Sequence, residues 1–147
     1  MPRRARTVRV ERVPEVSYAT VPRRATRGSA CFDLASAEAV DLERGRVTLV
    51  RTGFKMRCPP GTFLEVRPRS GLSSRGVLMV NAPGTIDSDY SGEVRVPLTY
   101  LFEGRYRVEA GDRIAQIRLV ADEPAVFRSG KVEAVRSRGG GFGSTGR

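Results

Sequence analysis

Apolar residues recur at every second position over short stretches of this chain, and each stretch stops at a glycine, proline or aspartate. In "EVRVPLTYLF" (93–102), Val94, Val96 and Leu98 alternate with Glu93 and Arg95, the period of a strand with one buried face. The same pattern, rich in β-branched and aromatic residues, predicts strands in "VRVERV" (8–13), "RVTLVRTGF" (46–54), "TFLEVRP" (62–68), "GVLMVN" (76–81), "YRVEA" (106–110), "DRIAQIRLV" (112–120) and "AVFR" (125–128). Breaks fall about every 8–15 residues and no segment longer than ten residues keeps a 3.6 period, so the pattern predicts an all-β sandwich or barrel. One helical turn is expected near "SGLSSR" (70–75), with Ser70 as its cap.

A length of 147 residues suits one domain. The formal charge of +10 resembles a nucleic-acid footprint until it is divided along the chain: residues 1–30 carry +6, residues 31–126 carry 0 and residues 127–147 carry +4. With the surplus confined to the two ends, a specific nucleic-acid reader is not expected, although basic ends suit weak contact with polyanions or with a substrate's phosphates. The chain has no histidine, which removes a histidine base, a Ser-His-Asp triad and a histidine-ligated zinc. The opening "MPRRARTVRV" reaches no apolar segment and the run "GVLMV" is too short to span a bilayer, so an intracellular protein, cytoplasmic or nuclear and without a membrane partner, is expected. In that compartment Cys31 and Cys58 are expected as free, buried thiols.

Two segments carry candidate chemistry. "NAPGTIDSDYSGE" (81–93) places Asp87 and Asp89 one residue apart on a turn between Gly84 and Gly92, glycines able to take the positive φ that such turns need. A calcium loop starting at Asp87 would need a bidentate glutamate at its twelfth position, which is Leu98. Two readings of the turn stay open on the residues alone: backbone capping, or a carboxylate working beside an anionic substrate and its metal ion. The second segment, "RSRGGGFGSTGR" (136–147), is too glycine-rich to pack a core. It lacks the Lys-Ser/Thr ending of a P-loop, and it reads either as a linker or as a flap whose ring, amides and arginines close on a nucleotide.

Five separated segments, in order and at compatible spacing, resemble the five motifs of the trimeric dUTPases: "GSACFDLAS" (28–36), "RPRSGLS" (67–73), "NAPGTIDSDYSGE" (81–93), "GDRIAQI" (111–117) and "RGGGFGSTG" (138–146). The resemblance implies a jelly-roll-like β-barrel and a homotrimer with C-terminal arms exchanged between subunits. It implies hydrolysis of dUTP to dUMP and pyrophosphate with Mg²⁺, which keeps uracil out of DNA and supplies dUMP for thymidylate synthesis. By the same resemblance, Asp87 activates the attacking water and Gln116 helps hold it. Asp33 orients metal-bound water while the substrate's phosphates provide most of the metal's ligands. Arg69, Ser70 and Gly71 face the phosphates; Asn81, with backbone at Gly84, Thr85 and Ile86, forms a hairpin that pairs with uracil; Tyr90 packs under deoxyribose, where a 2′-hydroxyl would not fit. In the arm, Phe142 stacks on the base, and Gly143, Ser144, Thr145 and an arginine, Arg138 or Arg136, meet the phosphates. Asp89 is read as a turn cap or a partner for an arginine.

The implied organisation is a basic N-terminal extension over 1–27 that contains the first strand, a barrel domain over 28–135, and a flexible arm over 136–147. The sequence departs from the motifs at Cys31, where glycine is usual, and in a fifth motif one residue shorter than usual between its arginine and Phe142. The rival readings are a dCTP deaminase-like enzyme on the same fold and a nucleotide-binding regulatory protein that retains it.

Overall fold

The computed structural model describes residues 5–133. Ten strands and one helical turn follow one another along them: β1 (Arg9–Arg12), β2 (Phe32–Ala35), β3 (Val40–Glu43), β4 (Thr48–Arg57), β5 (Thr62–Arg67), α1 (Ser70–Ser73), β6 (Val77–Met79), β7 (Gly84–Ile86), β8 (Glu93–Tyr100), β9 (Arg105–Val108) and β10 (Arg113–Ala121). They form a four-stranded sheet ordered β1-β4-β8-β6, a second ordered β2-β10-β5-β7, and the small pair β3-β9. The alternation predicts an all-β sandwich or barrel, and the two facing sheets agree with the jelly-roll-like barrel that the motif resemblance implies.

Alternation decides what lies between the sheets. On β8, Val94, Val96 and Leu98 are buried, and they meet Val50 and Phe54 of β4, Leu64 and Val66 of β5, and Ile114 and Ile117 of β10 in one core. Burying each such side chain contributes about 1.5–3 kcal/mol of transfer free energy. The few polar groups in this interior are satisfied: buried Thr52 donates from its hydroxyl to the Val94 carbonyl at 2.7 Å, tying β4 to β8.

Three expectations are corrected. Residues 125–128 form no strand; Val126 is 80% and Phe127 fully exposed, because no described segment lies beside them to pair with. Ser70 does not cap the helical turn: Arg69 occupies the cap position and no side chain bonds there. The hairpin expected over Asn81–Ile86 is not made by pairing of β6 with β7, since β6 joins β8 in one sheet while β7 joins β5 in the other. The chain between them crosses from sheet to sheet, through a cis Ala82–Pro83 bond.

Both cysteines are free; Cys58 is buried, whereas Cys31, just before β2, is only half-buried. No helix among the described residues is long and apolar enough to cross a membrane.

Candidate active site

The crossing from β6 to β7 builds one cleft. Its cavity of about 240 Å³ is lined by Asn81, Gly84, Thr85, Ile86, Asp87 and Tyr90, with Val66, Met79, Val94 and Arg95 completing its walls. β7 holds these residues in place by pairing Gly84 with Val66 and Ile86 with Leu64. After β7 the Tyr90 amide donates to the Asp87 carbonyl at 3.2 Å, closing a turn that leaves the Asp87 side chain exposed at the cleft. The Tyr90 hydroxyl donates to the Glu93 carbonyl at 3.1 Å and so fixes the ring.

Neither glycine of this segment is there for a positive φ, contrary to the sequence-based expectation: Gly84 and Gly92 both lie outside that region. Close approach requires them instead. A Cβ on Gly84 would stand 3.1 Å from both Asn81 Nδ2 and Met79 Cε, inside ordinary contact distance. Asp89 is exposed and has neither a cap bond nor an arginine partner among the described residues, so both roles proposed for it are set aside.

A second cleft, about 300 Å³, collects Asp33, Arg69, Ser70, Gly71 and Gln116 together with Ala25, Ser29, Ala30 and Cys31. The register explains this grouping: Gln116 at the middle of β10 pairs with Asp33 of β2 on one side and with Arg67 of β5 on the other. Gln116 donates through Nε2 to the Pro68 carbonyl at 2.9 Å, which directs its amide oxygen as the remaining acceptor. Asp33 is held by two arginines, through Arg69 Nε to Oδ1 at 3.2 Å and Arg113 Nη1 to Oδ2 at 3.3 Å. Arg69 also donates to the Arg113 carbonyl at 3.0 Å.

No cluster of three or more His, Cys, Asp or Glu able to hold a metal occurs among the described residues, so these residues build no all-protein metal cage. The donor set fits a different arrangement. Each Asp33 oxygen keeps a lone pair after accepting one arginine, and the two guanidinium groups offset its charge, which suits hydrogen bonds to metal-bound water.

The two clefts have no lining residue in common. From Gln116 to Ile86 is two strands across and three residues along the sheet, roughly 14 Å, and Asp87 lies one residue beyond. The ion-pair cluster of Glu65 with Arg67 and Arg118 stands between them. Arg67 donates to Glu65 and holds its carboxyl below the usual range, with Arg118 adding to the effect. Asp87 and Gln116 of one chain therefore do not meet at one water.

Two residues with evident parts in this geometry were absent from the sequence-based set. Arg113 clamps Asp33, and its signal was present as the arginine of "GDR". Arg95 faces the Asp87 cleft as a polar position of an alternating strand and carries no local signal. The candidates Arg136, Arg138, Phe142, Gly143, Ser144 and Thr145 lie outside the described residues.

The dUTPase family model matches residues 17–146. The deoxyuridine 5′-triphosphate nucleotidohydrolase of Anaeromyxobacter sp. is 48% identical over 146 residues, covering 96% of this chain and 98% of that protein. Its counterpart in Brucella melitensis is 41% identical over 148 residues, covering 97% and 94%. Among solved structures, the dUTPase of Staphylococcus bacteriophage 80alpha with dUpNHpp is similar at a TM-score of 0.80 and 28% identity, over 95% of this chain and 98% of that one. The dUTPase of phage phi11 of S. aureus, in which a structural Mg(II) ion is coordinated, has the same fold at a TM-score of 0.76 and 22% identity, over 87% and 99%.

Proposed function

The chain belongs to the dUTPase family, and on that premise we propose how its own residues hydrolyse dUTP to dUMP and pyrophosphate. The observation that carries this reading is the first cleft, where Asn81, the backbone of Gly84–Ile86, the Asp87 carboxylate and the Tyr90 ring converge on one small cavity. Asn81 and the backbone groups offer hydrogen bonds to the pairing edge of uracil, and a site of paired polar groups rejects a base that leaves them unpaired. Tyr90 forms a wall against the sugar.

Asp87 accepts a proton from water as the water oxygen attacks the α-phosphorus. The bond from that phosphorus to the bridging oxygen breaks, and its electron pair leaves with pyrophosphate. The second cleft supplies the remaining parts: the Gln116 amide oxygen accepts the water's other proton in a hydrogen bond, while Arg69, Ser70 and the Gly71 backbone hold the phosphates. Asp33 would hold Mg²⁺ through water, with the substrate's phosphates as its main ligands. When bound, the ion neutralises phosphate charge and orients the chain of phosphates for in-line displacement.

Because one chain keeps Asp87 and Gln116 roughly 14 Å or more apart, the complete site takes them from two chains. A homotrimer with three such interfaces satisfies this, and the bare Val126 and Phe127 support a segment that is covered by a neighbour. Phe142 on the base, with Gly143, Ser144, Thr145 and Arg138 or Arg136 on the phosphates, would complete each site as a lid.

The direct test is pyrophosphate release from dUTP, UTP, dTTP and dCTP at matched concentrations with Mg²⁺. Turnover confined to dUTP supports the assignment; comparable release from UTP or dCTP overturns it.

A further inference from the structure

We propose that Gly92 is a specificity-determining residue: it is the seat on which the Tyr90 ring rests, and it holds that ring where it excludes a 2′-hydroxyl. The inference rests on reading the first cleft as the deoxyuridine site. It goes beyond that reading by assigning a role to a residue that does not itself line the cleft.

Glycine at position 92 is not demanded by backbone conformation, since its φ lies outside the left-handed region. What it permits is contact. A Cβ built on Gly92 would meet Tyr90 Oη, would stand 2.7 Å from Cζ and 3.3 Å from Cε1, and has no backbone atom among its three nearest neighbours. The hydroxyl end of the ring thus lies against a bare Cα. Its hydroxyl reaches past Gly92 to the Glu93 carbonyl at 3.1 Å, so glycine and hydrogen bond together fix one ring position.

An alanine here has an allowed backbone, and the obstacle it meets is the far end of a side chain that is 44% exposed. The ring yields and the chain does not. Restoring ordinary carbon–carbon contact from 2.7 Å lifts the ring by about 1 Å. That lift takes the hydroxyl off the Glu93 carbonyl and loosens the wall beside the sugar. A hydrophobic wall rejects an added hydroxyl by about 10²-fold at best, so most of that discrimination depends on the wall staying in place.

The experiment measures kcat/KM for dUTP and UTP in wild type, Gly92→Ala, Tyr90→Ala and the double variant, with melting temperatures alongside. In Gly92→Ala the dUTP/UTP ratio is expected to fall by about 10-fold to 100-fold while the melting temperature stays near that of wild type. In the Tyr90→Ala background, adding Gly92→Ala is expected to leave the ratio unchanged, because the residue acts only through the ring. If Gly92→Ala lowers both substrates equally, or if the two substitutions act independently, the proposal is overturned. Should Gly92→Ala not fold, the double variant decides: if it also fails to fold, the glycine is serving the backbone and the proposal falls, whereas recovery of folding confirms that the ring was the obstacle. A wild-type enzyme that does not prefer dUTP over UTP would instead overturn the underlying substrate assignment.

Discussion

Replacing Glu93 by glutamine is expected to destabilise the fold strongly while leaving its shape intact. The Glu93 side chain is 7% exposed at the start of β8. It accepts Arg51 Nε with both oxygens, at 3.1 and 3.0 Å, and the buried Gly53 amide at 3.0 Å. It also accepts Arg95 Nε at 3.2 Å. Gly53 lies where the register of β4 on β8 shifts, between Arg51 and Lys55, so this carboxylate ties an irregular stretch of one strand to its neighbour. The Arg95 contact contributes little, about 0–1 kcal/mol, because that side chain is 48% exposed. Bonds from Arg51 and Gly53 to a charged acceptor in a mostly buried setting contribute about 1.5–3 kcal/mol. Glutamine keeps one acceptor oxygen but turns an NH₂ group toward donors, so the net loss is about 2–4 kcal/mol. For a chain of 147 residues this lowers the melting temperature by about 5–15 °C. The assay is calorimetric melting at neutral pH and one fixed protein concentration, since assembly shifts apparent stability. A fall of less than about 1 °C would refute the claim that this carboxylate holds the strand irregularity together.

Asp87→Asn preserves size and hydrogen bonding but removes the base, so turnover should fall by roughly 10²–10⁴ with nucleotide binding retained; near-normal turnover in a steady-state assay would remove Asp87 from its role. Truncation after Val135 should abolish most of kcat/KM yet leave the melting temperature almost unchanged, and an active truncated enzyme would return residues 136–147 to the linker reading. Because Arg67 and Arg118 depress the Glu65 carboxyl, its stabilising effect is present above the ordinary glutamate range and is lost as pH falls through the lowered folded value. The stability gap between wild type and Glu65→Gln should therefore close on acidification, as read from denaturant titrations across acid pH.

The longer strands were legible because burial follows alternation along most of β4, β5, β8 and β10, with breaks where buried Thr52 and Gly53 interrupt β4 and where Ile114 and Ala115 are buried side by side at a register shift in β10. The strands β2, β3 and β7 escaped because three or four residues do not establish a period, and "GTI" begins with the residue least favoured in strands. The segment "AVFR" has strand composition but no partner within the described residues, which local pattern alone does not report.

The types of residue in the site were equally legible, since Asp33, Arg69, Asn81, Asp87, Tyr90 and Gln116 all line one cleft or the other. Their partition was not. Motif order suggests one cleft for the second to fourth motifs, whereas β6 and β7 enter different sheets and carry the third motif away from the row Asp33–Gln116–Arg67. Only strand pairing, a long-range property, reveals that separation.

Whether the reaction takes Asp87 from one chain and Gln116 from another is decided by mixing two inactive variants. Asp87→Asn and Gln116→Ala would each be assayed alone and then unfolded and refolded together in equal amounts. A site drawing the two groups from different chains regains about a quarter of wild-type activity, because each intact group is supplied at random with a chance of about one half. No recovery in a mixture that demonstrably contains hetero-oligomers would contradict the account.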